Sequence, residues 1–326
     1  MLQAGWQVDV TGRDPGRMPP ELTAAGARFT VADRHDQAQL RAAFGDGADL
    51  LVDCVCYTAA DARLVLPFAR AADSTVMISS KAVYVDDQGR HSNSDASPEF
   101  AGPVRETQPT MAPSDVDFNS REGYGANKVA AERVLLDSGV PVTVLRPSKV
   151  HGVGGTRPRE WMFVKRVLDR RPAVFLARRG AGVDHPTAAA NLAALVDTVA
   201  AVPGRRILNS ADPDAPSGLE IARAIARHLG HQWEEVLLEE SESVGTLGRH
   251  PWDSVPPIIL DMTAATELGY VPAGDYATTV AAQADWLVSA AGRDAGLVRG
   301  WMSDGFFDSL LDYAAEDRYL AERRPR

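Results

Sequence analysis

Cysteine and lysine are the residues in which this sequence is poorest. Its 326 residues include only two cysteines and four lysines, and arginine supplies the rest of the 34 basic side chains. The two cysteines, Cys54 and Cys56, are too few to staple a small disulfide scaffold. They stand two positions apart in the apolar run 50–56, where a strand directs both side chains to one face. We therefore predict buried, reduced thiols.

Two further absences limit where the protein works and what it binds. No apolar run approaches the roughly 18 residues of a membrane span, and the first residues lack the pattern of a secretory signal. We therefore expect a cytoplasmic protein without membrane contact. The 34 basic residues against 44 acidic ones give a formal charge of -10, which disfavours nucleic acid as a partner. The seven histidines do not cluster with other ligands, so no metal is predicted.

Short apolar segments alternate with helical patterns through the first half of the chain. The apolar segments are continuous, as in strands that are buried on both faces of a parallel sheet. This pattern predicts an α/β fold with a doubly wound parallel sheet, whose ligands bind at the carboxyl ends of the strands. The predicted strands are 8–11, 29–31, 50–56, 75–79 and 142–145, and the predicted helices are 20–25, 35–44, 59–72 and 120–136.

After about His151 the pattern changes to longer helices with fewer strands. The predicted helices of this part are 158–169, 187–201 and 217–229. We predict a nucleotide-binding domain over 1–155, to which 183–210 returns. Residues 156–326 are predicted to form mainly a smaller substrate-binding domain with C-terminal helices.

Two local signals stand out in this second half. Ser217 and Glu220 have the spacing of a capping box, and Gly230 is typical of a helix end, so 217–229 has defined boundaries. The run 301–326 carries apolar residues at near-helical spacing, which predicts a packed terminal helix.

The most specific chemical signal is the run YGANK at 124–128. On a helix, residues four apart share one face, so the Tyr124 phenol and the Lys128 ammonium can enter the same cleft. A tyrosine with a pKa of about 10 is a poor base at neutral pH, and a nearby cation favours its phenolate. Ser80 follows the predicted strand 75–79, where its hydroxyl can hydrogen-bond a substrate oxygen beside Tyr124.

These motifs resemble the extended short-chain dehydrogenase/reductase superfamily, in its NAD-dependent epimerase/dehydratase branch. The resemblance rests on VMISSKAVY, YGANK, LRPSKVHG and the acidic end of FTVAD, and extends in outline from Gly5 to about Leu287. It implies a Rossmann-like domain in which Tyr124 is the general acid/base. Lys128 would hold the nicotinamide ribose and lower the pKa of the tyrosine, and Ser80 would polarise the reacting carbonyl or hydroxyl.

The same resemblance implies the cofactor contacts. Asp33 matches the position that touches the adenine, Pro147 and Ser148 match the segment along the nicotinamide, and Tyr57 is a further cofactor-binding position. Arg13 stands where NAD-preferring members carry an acidic residue, and a guanidinium there can meet a 2'-phosphate. We therefore predict NADP or NAD as the cofactor, with NADP favoured; the alternative is an Arg13 that stacks on adenine or lies in solvent.

One departure bears on the reaction. Family dehydratases carry Asp-Glu directly after the catalytic serine or threonine, whereas this chain has Lys81 and Ala82. Dehydration is therefore disfavoured.

The start of the chain raises a separate expectation. The family requires a first strand, a glycine-rich turn and a helix whose N-terminus faces the pyrophosphate. Aligning Gly5 with the end of that helix leaves on the order of twenty residues unaccounted for. The domain is thus predicted to be incomplete at its N-terminus. Two explanations stay open: an internal methionine taken as the start of an ordinary enzyme, or a short chain with weak or no cofactor binding.

Together these features predict an NAD(P)-dependent reductase or epimerase that transfers a hydride at a secondary alcohol or ketone. The expected substrate is a small molecule, either a sugar-nucleotide or a natural product, and a homodimer is plausible from the family. The alternative is a catalytically impaired or non-catalytic member of the same fold that binds nucleotide or RNA. The acidic charge and the intact Ser80, Tyr124 and Lys128 argue against that alternative.

Overall fold

The computed structural model of the chain describes residues 1–242 and 245–323, which form ten strands and eleven α-helices. The strands are β1 (Asp9–Gly12), β2 (Arg28–Val31), β3 (Ala48–Asp53), β4 (Ala72–Ile78), β5 (Val142–Pro147), β6 (Val150–His151), β7 (Ala173–Leu176), β8 (Thr187–Ala188), β9 (Arg206–Ser210) and β10 (Glu234–Leu237). The helices are α1 (Pro20–Ala24), α2 (Gln37–Phe44), α3 (Ala59–Ala69), α4 (Arg121–Leu136), α5 (Trp161–Leu168), α6 (Ala189–Ala201), α7 (Gly218–His228), α8 (Thr263–Glu267), α9 (Tyr276–Arg293), α10 (Ala295–Met302) and α11 (Tyr313–Arg323).

A four-stranded parallel sheet, in the order β3-β4-β5-β9, forms the centre of the first domain. Successive residues of a strand point to opposite faces, so Met77 packs towards α3 and α4, and Val76 packs towards α6 and α8. All six residues of β5 are buried. The sheet is thus covered by helices on both faces, which confirms the Rossmann-like fold class predicted from the continuous apolar strands.

Strands β1 and β2 form a separate parallel pair. Within the described residues no ladder hydrogen bonds join this pair to the four-stranded sheet. Side chains make the connection instead: Arg34, just after β2, binds both carboxylate oxygens of Asp53 at 2.9 and 3.0 Å. The rings of Phe44 and Phe68 add a contact between α2 and α3 at 5.3 Å. The predicted first strand and glycine-rich turn upstream of residue 1 remain a prediction.

The second half of the chain builds its own apolar core. Trp161, Ile221 and Val280, from α5, α7 and α9, are buried in one cluster. The predicted capping box at the start of α7 is present, with Ser217 and Glu220 each bonding the other's backbone N–H. Strand β9 returns to pair with β5, so residues 206–210 lie in the central sheet.

Two predictions about local structure are wrong. Strand β3 ends at Asp53, so Cys54 and Cys56 are not held in strand geometry, and Cys54 is exposed whereas Cys56 is buried. The run 301–326 is not one helix: α10 ends at Met302 and α11 begins at Tyr313. The apolar residues between these helices pack on the α5–α9 core from turns. Residues 324–326 of that run lie outside the described residues.

No helix among the described residues combines the length and the apolar character that crossing a bilayer requires.

The buried strand β5 supplies a test of this packing. Leu145 is fully buried between β5 and α6, whereas Leu22 on α1 is 42% exposed. Leu145→Ala should lower the free energy of unfolding by about 2–5 kcal/mol, because it removes buried methyl groups and leaves a cavity. Chemical denaturation measures this, with Leu22→Ala as the control that should change little. Equal losses in the two variants would contradict the assigned sheet.

Candidate active site

Ser80 stands at the carboxyl end of β4, where the chain leaves the sheet. It is the N-cap of a single 3₁₀ turn, Lys81–Val83, and its hydroxyl oxygen accepts a hydrogen bond from the N–H of Ala82 at 3.1 Å. The capping bond fixes the side chain at the sheet edge. The hydroxyl is therefore held at the place where a doubly wound sheet binds its ligands.

Tyr124 and Lys128 lie on one face of α4, one turn apart, as the spacing predicts. The Ser80 hydroxyl is close enough to the Tyr124 phenol to lower its pKa. Lys128 is buried, and its Nζ donates to the carbonyl oxygens of Cys56 at 2.9 Å and Ile78 at 3.0 Å. The helix is therefore bonded to the ends of β3 and β4, and Ser80, Tyr124 and Lys128 lie together.

Close backbone packing sets this arrangement. A Cβ atom on Gly125 would lie 2.5 Å from both the carbonyl oxygen of Ala82 and the sulfur of Met111. Since real Cβ atoms do not approach so closely, only glycine lets α4 pack this tightly against the turn after Ser80. The glycine of the YGANK run thus brings the phenol to the serine.

The ionisation of Tyr124 differs from the expectation. Burial raises the pKa of Tyr124 above its usual value, and the Ser80 hydroxyl and the Arg159 charge lower it only in part. The resemblance implied a tyrosine pKa lowered by Lys128. In the structure the Lys128 ammonium bonds to two carbonyl oxygens, and burial is the largest influence on the phenol. The phenol therefore keeps its proton at neutral pH and is suited to donate it.

Tyr57 joins this group from the loop after β3. Its ring lies 4.3 Å beneath the Lys128 Nζ and stacks on Phe118 with ring centroids 5.5 Å apart. The Tyr57 and Tyr124 rings are 6.3 Å apart. Aromatic faces thus line the cleft beside the two candidate catalytic side chains.

The other predicted cofactor residues are distributed along the strand ends. Pro147 ends β5, and the following Ser148 is buried, with its N–H donating to the Thr187 hydroxyl at 3.0 Å. Asp33 follows β2, and its carboxylate accepts from the N–H of His35 at 2.9 Å; Arg13 follows β1 and is exposed. Among the described residues no hydrogen bond or ion pair joins Arg13 or Asp33 to the Ser80–Tyr124 group.

The donor set fits the nicotinamide end of a dinucleotide. Two of the three ammonium N–H groups of Lys128 are used on carbonyl oxygens, which leaves one donor for a ribose hydroxyl. The half-buried Tyr57 ring lies against this ammonium, 4.3 Å from Nζ. The glycines at 152, 154 and 155 lie between β6 and α5, away from the first strands of the sheet.

Sequence reasoning missed a buried network one turn further along α4. Glu132 accepts hydrogen bonds from the Ser79 hydroxyl at 2.5 Å and from Arg146 at 3.1 and 2.5 Å. Burial alone would lower the pKa of Arg146, but the Glu132 carboxylate outweighs burial and holds that pKa above its usual value. The Arg146 guanidinium also lies 4.8 Å from the ring centroid of Tyr84. The spacing of 124, 128 and 132 places Glu132 on the same helix face as Tyr124 and Lys128, which the sequence could have shown. Its partners Ser79 and Arg146 lie 53 and 14 residues from it, and no local pattern identifies them.

Lys81 is the second feature that the sequence left unassigned. It is buried, and its ammonium bonds to the carboxylate of Asp184. The residue that replaces the dehydratase acid is therefore a cation held directly beside Ser80.

Comparisons with known proteins give first the fold and then the family of this chain. The structural matches below share the Rossmann-like fold. The sequence profile of the NAD dependent epimerase/dehydratase family matches residues 1–178, which is more than half of the chain. The chain therefore belongs to that family, and the resemblance drawn from the motifs is confirmed. Among curated proteins, no relative matches this sequence.

Solved structures with similar folds are distant in sequence. A UDP-glucuronic acid 4-epimerase from Bacillus cereus, in complex with UDP-glucuronic acid and NAD, has a TM-score of 0.60 and 15% identity, over 88% of this chain and 94% of that one. A dTDP-glucose 4,6-dehydratase from Bacillus anthracis with NAD has a TM-score of 0.66 and 13% identity, over 91% and 93%. A Thermus thermophilus UDP-glucose 4-epimerase with NAD has a TM-score of 0.62 and 16% identity, over 89% and 93%.

The buried ion pair beneath the site yields a prediction. Glu132→Gln leaves Arg146 without its carboxylate in a buried place, so we expect a loss of about 3–5 kcal/mol in the free energy of unfolding. Glu122→Gln on the same helix removes an exposed carboxylate, 73% accessible, and should cost less than about 1 kcal/mol. Denaturation of both variants measures the difference, and a Glu132→Gln variant as stable as Glu122→Gln would contradict the network.

Proposed function

We infer that the protein transfers a hydride between a nicotinamide dinucleotide and a secondary alcohol or ketone, as a reductase or an epimerase. The observation that carries this inference is the placement of Ser80 and Tyr124 together after β4, with the Lys128 ammonium fixed one helical turn away. Two neighbouring hydroxyl groups can bind one substrate oxygen between them and exchange its proton.

The residues present suit a nicotinamide dinucleotide, which when bound supplies or accepts the hydride. Lys128 would bind the ribose through its remaining N–H, and Tyr57, Pro147 and Ser148 would line the nicotinamide. Three of the similar structures hold NAD, as cited above. The comparisons give the NADP preference no support, so it rests on Arg13 alone.

The side chains of this chain perform the proton chemistry. The Ser80 hydroxyl orients the substrate oxygen by a hydrogen bond, and Tyr124 donates a proton to it when a carbonyl is reduced. Because burial raises the pKa of Tyr124, the protonated form dominates near neutral pH. Reduction is therefore favoured at neutral pH, and the reverse oxidation, which needs the phenolate, should accelerate as the pH rises.

Sugar-nucleotides are the substrate class that the relatives suggest. The similar structures include UDP-sugar epimerases and dTDP-glucose dehydratases. Lys81 and Ala82 stand where family dehydratases carry Asp-Glu, and a lysine held by the Asp184 carboxylate cannot replace their acid. Epimerisation or carbonyl reduction is thus favoured over dehydration. A small-molecule substrate and a homodimer remain parts of this proposal.

Substitution of the phenol tests the mechanism. Tyr124→Phe removes the proton donor while keeping the ring, so turnover should fall about 10²–10⁴-fold. Tyr319→Phe, on α11 and away from the cleft, is the matched control and should leave turnover unchanged. Nicotinamide absorbance, followed with a panel of UDP- and dTDP-sugars, measures both. Undiminished turnover in Tyr124→Phe would show that the mechanism is wrong.

Cofactor titration tests the role of Arg13. The wild type should bind NADPH more tightly than NADH, and Arg13→Ala should weaken NADPH binding about tenfold or more while leaving NADH unchanged, since a charge-assisted contact to the 2'-phosphate is lost. Arg17→Ala, a few residues further along the same loop, is the control. Equal affinity of the wild type for the two cofactors would exclude the preference.

A further inference from the structure

Three cations meet beside the candidate catalytic residues. The first, Lys81, directly follows Ser80, is 6% exposed, and gives its ammonium to Asp184. The same carboxylate accepts a bond from the Ser148 hydroxyl at 3.4 Å. Asp184 is therefore already occupied on one oxygen by Lys81 and Ser148.

Lys149 is the second cation, and it follows Ser148 at the end of β5. Its Nζ lies 3.2 Å from the other oxygen of Asp184, and its side chain is 24% exposed. Its φ of 37° lies in the left-handed region, which a residue with a Cβ enters at a cost. One carboxylate thus serves two ammonium groups, and a strained backbone holds the second in place.

Arg159 is the third cation, and within residues 1–242 and 245–323 it has no carboxylate in ion-pair contact. It donates from Nη1 only to the carbonyl oxygen of Val150, at 3.3 Å. Burial and then the Arg159 charge lower the pKa of Lys149 to about 7, so Lys149 is only partly charged at neutral pH and a bound anion would favour its charged form; the Arg159 charge also opposes the rise in the pKa of Tyr124. The guanidinium is therefore within electrostatic range of both Lys149 and the phenol.

Arg159 lacks the carboxylate partner that the two lysines have. Lys81 and Lys149 share Asp184, whereas Glu160, which follows Arg159 in the chain, is bound to the Gln283 amide at 2.9 Å. His250, which is 4% exposed, has no hydrogen-bond partner on either ring nitrogen in the described part of the chain. Burial, Arg178 and then Lys149 lower the pKa of His250 to about 4, so it is neutral. Excess positive charge in a half-buried cleft is costly without an anion.

We propose that the substrate carries an oxyanion, a carboxylate, close to the carbon that exchanges hydride, and that Arg159 and Lys149 bind it. This proposal rests on the proposed function, because Ser80 and Tyr124 mark the reacting carbon. Lys81 begins the turn that Ser80 caps and shares Asp184 with Lys149, which connects this pair of lysines to the reacting end of the site. Lys81 and Asp184 position Lys149.

The test compares two probes that differ only in this group. UDP-glucuronate and UDP-glucose share their nucleotide and diphosphate, and only the first carries a carboxylate. Calorimetric titration should show that the wild type binds UDP-glucuronate at least about tenfold more tightly. Arg159→Gln should abolish this preference by weakening UDP-glucuronate alone. Arg159→Lys, which keeps the charge, should retain part of it.

Arg157→Gln is the matched control, two residues away. Arg157 is 55% exposed and already pairs with Asp304, so its loss should leave the preference intact. Thermal melting of every variant shows whether it has folded, and Arg159→Lys provides the test if Arg159→Gln has not.

Three results would overturn the proposal. If Arg159→Gln weakens both probes equally, the cations bind the diphosphate; if the wild type binds both equally, the cleft does not recognise a carboxylate. If neither probe binds, free D-glucuronate and D-glucose are titrated at high concentration. Equal binding of these two sugars, or no binding of either, would also show that the cleft does not recognise a carboxylate. Turnover is not needed for these measurements, so failure of the proposed function is detected separately by Tyr124→Phe.

Discussion

The bonds from the Lys128 ammonium to the carbonyl oxygens of Cys56 and Ile78 are the contact on which the candidate site depends. Both carbonyls lie where the chain leaves the sheet, after β3 and at the end of β4. A single buried cation therefore joins helix α4 to two strand ends. Charge-assisted bonds of this kind are stronger and more directional than neutral ones. This connection fixes where Tyr124, one turn earlier on α4, lies relative to the carboxyl ends of the strands.

Helix α4 uses its turns for different tasks along one face. Tyr124 reaches the cleft, Lys128 bonds to the strand ends, and Glu132 enters the buried network with Ser79 and Arg146. Ser79 and Ser80 are adjacent but have different roles, because successive residues leaving a strand point to opposite sides. Ser79 is committed to Glu132, which leaves Ser80 as the hydroxyl that can meet a substrate.

Local patterns in the sequence predicted the main strands and helices of the first half and brought Ser80, Tyr124 and Lys128 forward as candidates. The capping box at Ser217 and the spacing of Tyr124 and Lys128 involve neighbours on one helix, so short-range geometry determines them. The exposure of Cys54 was missed because an apolar run does not show where a strand ends.

Contacts between distant parts of the chain could not be predicted in the same way. The Lys81–Asp184 pair joins residues 103 positions apart, and no periodic pattern relates them. The near-helical spacing at 301–326 also led to a wrong prediction of one helix, because turns can place apolar residues on the core at the same spacing. Such pairings depend on tertiary packing, which overrides local preference.

The pair of strands β1 and β2 has a consequence for ligands that are long. Arg13 and Asp33 follow the strands of this pair, whereas Lys128 on α4 and Tyr57 after β3 pack beside the four-stranded sheet. In the described residues, side-chain contacts such as Arg34–Asp53 connect the two parts. A dinucleotide that touched both would act as a cross-link between two parts of the protein. Part of its binding free energy would then be spent on fixing their relative position. Affinity for the whole dinucleotide would thus report how rigidly Arg34 holds the two parts together, as well as the quality of the contacts at either end.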